Sequence, residues 1–453
     1  MRNIFCKARS LTQIAPVFLA SLSAFSSGNL FAFSSPAIPK LLSEYKFTIE
    51  EASYFTVIPP ITMVICTPFF CKLADKVGRQ RILLCTGIIH ITAWLLVAFA
   101  KDIWIFYISR GLYGVGDACI FAALPAYIAE VTTPRIRNLY GNMLTIASFH
   151  GQFFSNCIGY YLSISTTGYV MVIFPILYLA CFSFMPESPY YYVMVNNLNS
   201  ARGSLQRLRG TENVTDELKQ ITQDVNRQLS ESGRFKDLWI INSNRKALLI
   251  AILTRGTYQL SGFVALVSYS QYVFQEAGGD IPNGIASMIV SGILCMLIIF
   301  ANVVSDKLGR KKSMIISCFF CGVTLLGEAI YFFLQMHEIV DLKRVNWFPV
   351  IILIAYSISF CVGIGIVPTL IAGEIFSTNI RKHGASVANV VFAAYASIFT
   401  KVFQLLMTGY GMWTPFLFFS LCCFANSVLS YFIVLETKGK TLEEIQQMLK
   451  ENK

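Results

Sequence analysis

The sequence predicts an all-α membrane protein in which twelve transmembrane helices form two pseudo-symmetric six-helix bundles. Three observations carry the prediction. Of 453 residues, 55% are hydrophobic and 13% charged, too little polar surface to coat the core of a soluble protein of this length. The apolar residues arrive in blocks of about 18–25, the length that crosses a hydrocarbon layer of roughly 30 Å at 1.5 Å per helical residue. Six such blocks, a polar stretch and six further blocks make a repeat at half-chain scale.

In chain order the blocks are 11–33, 52–71, 82–100, 103–129, 139–162 and 168–185, then 247–274, 283–304, 313–335, 347–372, 384–408 and 411–434. The first is too long for a signal-peptide core and has no convincing cleavage site, so it reads as the first span. The chain divides into an N-terminal bundle, 1–185, a linker, 186–246, a C-terminal bundle, 247–434, and a tail, 435–453. Within the linker, Val214, Leu218, Ile221, Val225 and Leu229 recur at helical spacing and predict an amphipathic helix. Thr441-Leu442-Glu443-Glu444 has the capping-box pattern and opens another, with Leu442, Ile445 and Met448 on one face. Both are expected against the cytoplasmic ends of the bundles.

Lys and Arg set the orientation. With both termini cytoplasmic, 28 of the 36 lie in inner segments and five in outer loops, and Arg110, Arg255 and Lys401 fall inside spans. The net charge of +11 is therefore a topological signature and not a nucleic-acid footprint. The sequon Asn213-Val214-Thr215 lies on the cytoplasmic side and is expected to stay unmodified. Cys318 and Cys321 have CxxC spacing but no partner ligands, so they read as packing residues and no metal site is expected.

The two halves resemble each other in detail. The loop after the second span reads Asp75-Lys-Val-Gly78-Arg79-Gln-Arg81, and the loop after the eighth reads Asp306-Lys-Leu-Gly309-Arg310-Lys-Lys312. Each sets an acid, a turn glycine and a basic cluster at the same inner corner.

Beside these loops stand Arg110-Gly111, Pro125-Ala-Tyr127-Ile-Ala-Glu130, Pro134-Arg-Ile-Arg137, Pro186-Glu-Ser-Pro189, Gln259-Leu-Ser-Gly262, Gly373-Glu374-Ile-Phe376 with Arg381, and Glu436-Thr-Lys-Gly-Lys-Thr441. Through these motifs nearly the whole chain resembles the sugar-porter family of the major facilitator superfamily. Phe33-Ser-Ser-Pro36 makes it most similar to the facilitated trehalose transporters of insects. The resemblance implies the major facilitator fold and an alternating-access carrier for a sugar or sugar conjugate of the trehalose or hexose type. The expected setting is the plasma membrane, and the expected functional form is a monomer. It also implies a cytoplasmic gate of Asp75, Arg79, Glu130 and Arg137 in one half and Asp306, Arg310, Glu374 and Arg381 in the other, whose ion pairs hold the halves together when the cavity faces outward and break when it opens inward. Spans 1, 4, 7 and 10 should line the cavity, with Gly111, Gly114, Gly116, Gly262, Gly363, Gly365 and Pro368 allowing bends.

The substrate positions depart from the family. Where sugar porters carry amides or a Trp, this chain has Thr145, Tyr258-Gln259, Val264, about Leu294, Thr369 and about Phe392, so Gln259 alone keeps an amide that can pair with sugar hydroxyls. The substrate-binding candidates are thus Gln259, Tyr258, Arg255, Thr145 and Thr369. The family's proton-coupling acid in the first span is Ser34 here. Asp117, seven residues beyond Arg110 and on the same helix face, can take over that role, with a structural pair or hydrogen bond as the alternative. His150 is a candidate partner of Asp117, with a packing role as the alternative. Arg255 suggests an anionic group on the substrate or, equally, a pair with Asp117. Glu328 reads as structural.

Three further readings follow. A proton-coupled carrier of an anionic glycoside or other organic anion is the main rival, with protons as the coupling ion. A non-transporting sugar sensor is a rival of another class. A catalyst is excluded, since no nucleophile–base constellation is present, and no cofactor is expected.

Overall fold

The structure is a computed structural model that describes residues 2–230, 233–339, 345–377, 379–440 and 442–451. The side chains of 2–11, 135, 138, 139, 228, 229, 302, 303, 306, 442, 443 and 451 lie outside that description. All regular secondary structure among the described residues is helical. Eleven helical stretches are long and apolar enough to cross a membrane. The predicted fifth block is also a helix, Met143–Tyr161, whose apolar run is diluted by His150, Gln152, Ser155 and Asn156. All twelve predicted blocks thus fall on helix.

Besides the sixth span, which runs as Ile164–Met171 and Ile173–Phe182 around Val172, three spans are interrupted. The first runs as Arg2–Ala32 and Ser34–Ser43 around Phe33. The seventh runs as Asn242–Leu260 and Phe263–Ala277, and the break falls on Gly262 at φ 79°, a left-handed angle that only glycine adopts without strain. The tenth splits into Phe348–Val362 and Val367–Glu374. The fourth span, Ile103–Val131, is one continuous helix through Pro125. Gly116 in it serves close packing: an added Cβ would stand 2.4 Å from His90 Nε2.

The chain forms two compact units. The first comprises Met1–Leu30, Thr62–Gly151 and Ile164–Gly233, and the second Phe31–Ile61, Gln152–Ser163 and Arg234–Lys453. The first unit is built on Val17, Leu83, Ile120, Leu124, Tyr127, Tyr178 and Phe182. The expected linker helix is Thr215–Ser230. It buries Ile221 and Val225 with Val193, Leu205 and Val214, the first two of which lie on helices Pro189–Met194 and Leu198–Arg209. The side chain of Leu229 lies outside the described residues.

The second unit gathers the predicted outer ends of spans 1, 2 and 5 with spans 7 to 12. Lys40 Nζ donates to the carbonyls of Gly159 (2.7 Å), Tyr160 (3.1 Å) and Leu162, tying the first span to the end of the fifth. Lys401 in the eleventh span donates to Ser53 Oγ at 2.9 Å and lies 4.4 Å from the Tyr54 ring centroid, both in the second span. Gln271 N donates to Ser35 Oγ at 3.3 Å, and Ser287 Oγ donates to Asn156 Oδ1 at 3.4 Å. The predicted tail helix, Leu442–Glu451, buries Ile445 and Leu449 and anchors through Gln446 Nε2 on the Ile375 carbonyl at 2.7 Å.

Candidate functional site

The charged residues at the inner corners form one cluster in each unit. In the first, Arg79 donates through Nη2 to Asp75 Oδ1 at 2.8 Å and through Nε to Glu130, the nearer carboxylate oxygen lying at 3.1 Å. In the second, Arg310 Nη2 donates to Glu374 Oε1 at 3.2 Å. The Asp306 side chain lies outside the described residues. Among the described residues, Arg137 and Arg381 meet carbonyls rather than acids. Arg137 Nη2 donates to the Ala129 and Thr132 carbonyls and Arg381 Nη2 to the Phe376 carbonyl at 3.5 Å, beside the ends of the fourth and tenth spans, where helical carbonyls lack partners.

Glu187 and Glu436 complete the clusters, and the sequence reading quoted both without assigning them a role. The Glu187 carboxylate accepts the backbone N–H of Arg79 at 3.1 Å and of Gln80 at 3.0 Å. Glu436 accepts those of Arg310 at 2.9 Å and Lys311 at 3.2 Å. A carboxylate thus sits on the N-terminus of the third span and another on that of the ninth, where orphan N–H groups and the helix dipole favour negative charge. Gly78 and Gly309, at φ 113° and 88°, make the close approach possible, since added Cβ atoms would lie 2.2 Å from Glu187 Oε2 and 2.5 Å from Glu436 Oε2. The neighbouring hydroxyls match too: Ser188 Oγ donates to Glu130 and Thr437 Oγ1 to Glu374. Burial pushes the Glu187 carboxyl above its usual range, while its backbone donors favour the charged form.

Asp117 is half-buried in the fourth span and accepts a hydrogen bond from Ser27 Oγ, with Tyr113 as a second hydrogen-bonding neighbour. His150 is not its partner, since its Nδ1 contacts the Ile146 carbonyl one turn back, at 2.7 Å. A rotation of seven positions separates Asp117 from Arg110, as the periodicity requires, but Arg110 is not held by the acid alone. Its Nη1 donates to the Leu30 carbonyl at 2.5 Å, next to the break in the first span, and its guanidinium lies 5.0 Å from the Tyr113 ring centroid. Ser27, Tyr113 and the buried His90, whose Nδ1 is 3.0 Å from Ser26 Oγ, carry no sequence signal, because Ser and Tyr are common in spans and the contacts join distant positions.

The substrate candidates of the second unit come together. Arg255 Nη1 donates to Thr369 Oγ1 at 3.3 Å, and its guanidinium lies 5.3 Å from the Phe392 ring centroid. Gln259 Nε2 donates to the Phe392 carbonyl at 3.3 Å, leaving its buried Oε1 without a partner. Tyr258 packs against Phe392 at 5.3 Å, Phe360 at 5.3 Å and Phe263 at 5.5 Å between centroids. Arg255 has no carboxylate partner among the described residues of its unit. Its Nε is also buried without a partner. Thr145 belongs to the first unit and is half-buried. Glu328 is fully buried with neither carboxyl oxygen bonded.

The comparisons with known proteins agree with one another. The sugar (and other) transporter family model matches residues 22–449. The facilitated trehalose transporters Tret1 of Polypedilum vanderplanki and Bombyx mori are 31% and 28% identical, over 97% of this chain and 88% and 87% of theirs. Among solved structures, the major facilitator proton:xylose symporter XylE bound to 6-bromo-6-deoxy-D-glucose aligns with a TM-score of 0.79 at 18% identity, over 97% of this chain and 100% of that one. The inward open conformation of the xylose transporter XylE from E. coli aligns equally, with a TM-score of 0.79 at 18% identity over 96% of this chain and 99% of that one. At that identity the likeness concerns the fold. The chain belongs to the sugar (and other) transporter family, and it is a multi-pass membrane transporter with the major facilitator fold, not an enzyme.

Proposed function

We propose that the chain carries a sugar or sugar conjugate, of the trehalose or hexose type, across the plasma membrane by alternating access. It works as a monomer with both termini in the cytoplasm, and the bundles 1–185 and 247–434 rock about the site. The observation that carries this reading is the Gln259–Arg255–Thr369 group set against Tyr258 and Phe392. A buried amide oxygen with no protein partner suits a sugar hydroxyl, and aromatic faces suit the apolar face of a pyranose. Thr145 contributes from the other bundle. Asp75, Arg79, Glu130, Arg137, Asp306, Arg310, Glu374 and Arg381 act as the inner gate. Relatives named facilitated trehalose transporters make trehalose the first substrate to try.

One observation favours the rival reading. Arg255 is a buried cation without a counter-charge, and a carboxylate or sulfate on a glycoside would supply it. Asp117 would then take up the co-transported proton. Uptake into heterologous cells of labelled trehalose, glucose and a glucuronide at two external pH values distinguishes the readings. Uptake of neutral sugar supports the first. Uptake of the glucuronide alone, rising as external pH falls, supports the rival. Sugar binding without uptake would identify a sensor and overturn both.

A further inference from the structure

The amides that sugar porters place around their substrate are mostly missing at the corresponding positions of this chain, yet its second unit holds another polar set further along. Gln152 and Asn156 follow Thr145 by seven and eleven residues, so the three share one face of the fifth span, and Gln152 lies about 10 Å beyond Thr145 along the helix. Gln152 is 6% exposed and Asn156 2% exposed. Both line a small cavity of about 40 Å³ together with Ser270, Ser287, Phe263 and Tyr356, among others. The Gln152 amide has no protein partner among the described residues. Asn156 uses only its oxygen, accepting from Ser287 Oγ, which is in turn 2.8 Å from Ser270 Oγ.

The cavity is linked to the Arg255–Gln259 group through stacked rings. Phe263 lies parallel to Phe360 at 4.2 Å and edge-on to Tyr258 at 5.5 Å, and Tyr258 reaches Phe392, beneath which Arg255 and Gln259 are held. The aromatic layer therefore lies between this polar cavity and the polar group of Arg255 and Gln259. The inner group carries a cation. The outer cavity is lined by amides, hydroxyls and apolar side chains with no charged group.

We propose that the outer compartment binds a second, neutral glycosyl unit, so that the transporter prefers a disaccharide or glycoside to a free monosaccharide. The inference rests on the sugar-carrier reading above and adds to it. Forty cubic ångströms hold a water or two and no pyranose ring, so the ring enters when the outer ends of the spans part. Its hydroxyls then take the place of the Ser287–Asn156 bond and satisfy the idle donors of Gln152 and Asn156. The apolar face of the ring lies on Phe263 and Tyr356. Neither amide is among the fully buried unpartnered groups, so their donors reach the cavity, where a ligand hydroxyl can accept from them.

The test is equilibrium binding of labelled trehalose and labelled glucose to the purified full-length protein. The expected result is at least tenfold tighter binding of trehalose, since two or more hydrogen bonds distinguish the sugars. In Gln152→Leu/Asn156→Leu the ratio falls to within about twofold. The isosteric pair Gln152→Glu/Asn156→Asp, which adds charge and keeps shape, lowers the ratio as well and guards against loss of fold, monitored by size exclusion. A wild-type ratio near one, or a ratio that survives both double variants, overturns the second compartment while glucose binding keeps the sugar-carrier reading standing. Binding of neither sugar by the wild type overturns both.

Discussion

Replacing Lys401 by Met keeps the length and apolar stem of the side chain and removes one charge. In the structure that charge donates to Ser53 Oγ at 2.9 Å and lies 4.4 Å from the Tyr54 ring centroid. A hydrogen bond from a charged group is worth about 1.5–3 kcal/mol net, and an exposed cation–π contact about 0.5–1 kcal/mol. Lys401 is half-buried, so water recovers part of both when the contact opens, and a net of about 1.5 kcal/mol is reasonable. If the bundles rock as proposed, this contact, which joins the eleventh span to the second, exists only while the outer ends are together. Losing it should raise the outward-open to closed ratio roughly tenfold. The assay is the reaction rate of an introduced thiol, Ser287→Cys, with a membrane-impermeant maleimide added outside, corrected for the parent protein's own cysteines. Ser287 is 1% exposed here, so its labelling reports opening. Lys40→Met is the control, because Lys40 ties the first span to the fifth, both in the first bundle. A labelling rate in Lys401→Met within twofold of the parent's, or an equal rise in Lys40→Met, would refute the reasoning.

Three further outcomes are expected. Gly78→Ala and Gly309→Ala force a side chain into a left-handed angle and into the Glu187 or Glu436 carboxylate, costing about 2 kcal/mol each and lowering the melting temperature of the purified protein. Gly203→Ala, where nothing lies within 4 Å, should leave it unchanged or raise it. If Asp117 carries the proton, wild-type uptake rises as external pH falls and Asp117→Asn is flat; a variant that keeps the wild-type slope removes Asp117 from coupling. Arg255→Gln should depress uptake of a glucuronide at least tenfold more than uptake of trehalose if the guanidinium meets an anion, and equal losses would assign Arg255 to neutral hydroxyls.

The spans were legible because a hydrocarbon solvent allows little else: twenty apolar residues in a row must be helical, and every predicted block is. The breaks were half legible. Gly262, Gly363 and Gly365 marked two of them, while Phe33 has no residue-type signal and the fourth span stays continuous although it carries three glycines and a proline. The gate residues were found because the paired loops repeat. Their division of labour was not, since Arg137 and Arg381 read as charges and meet carbonyls. Glu187 and Glu436 were visible as motif letters, but their role depends on a turn glycine more than a hundred residues earlier. The binding candidates were the least legible: family positions pointed to Gln259, whereas Gln152 and Asn156 stand out only once a cavity is seen to contain them.

The two carboxylates at the inner corners also bear on how force passes through each half. Glu187 follows the sixth span and grips the start of the third; Glu436 follows the twelfth and grips the start of the ninth. Four consecutive helices are thereby buckled into a closed hoop, and the hoop is drawn twice. A hoop resists shear among its own members, so a push at one end arrives at the other as a tilt of the whole rather than as slippage between neighbours.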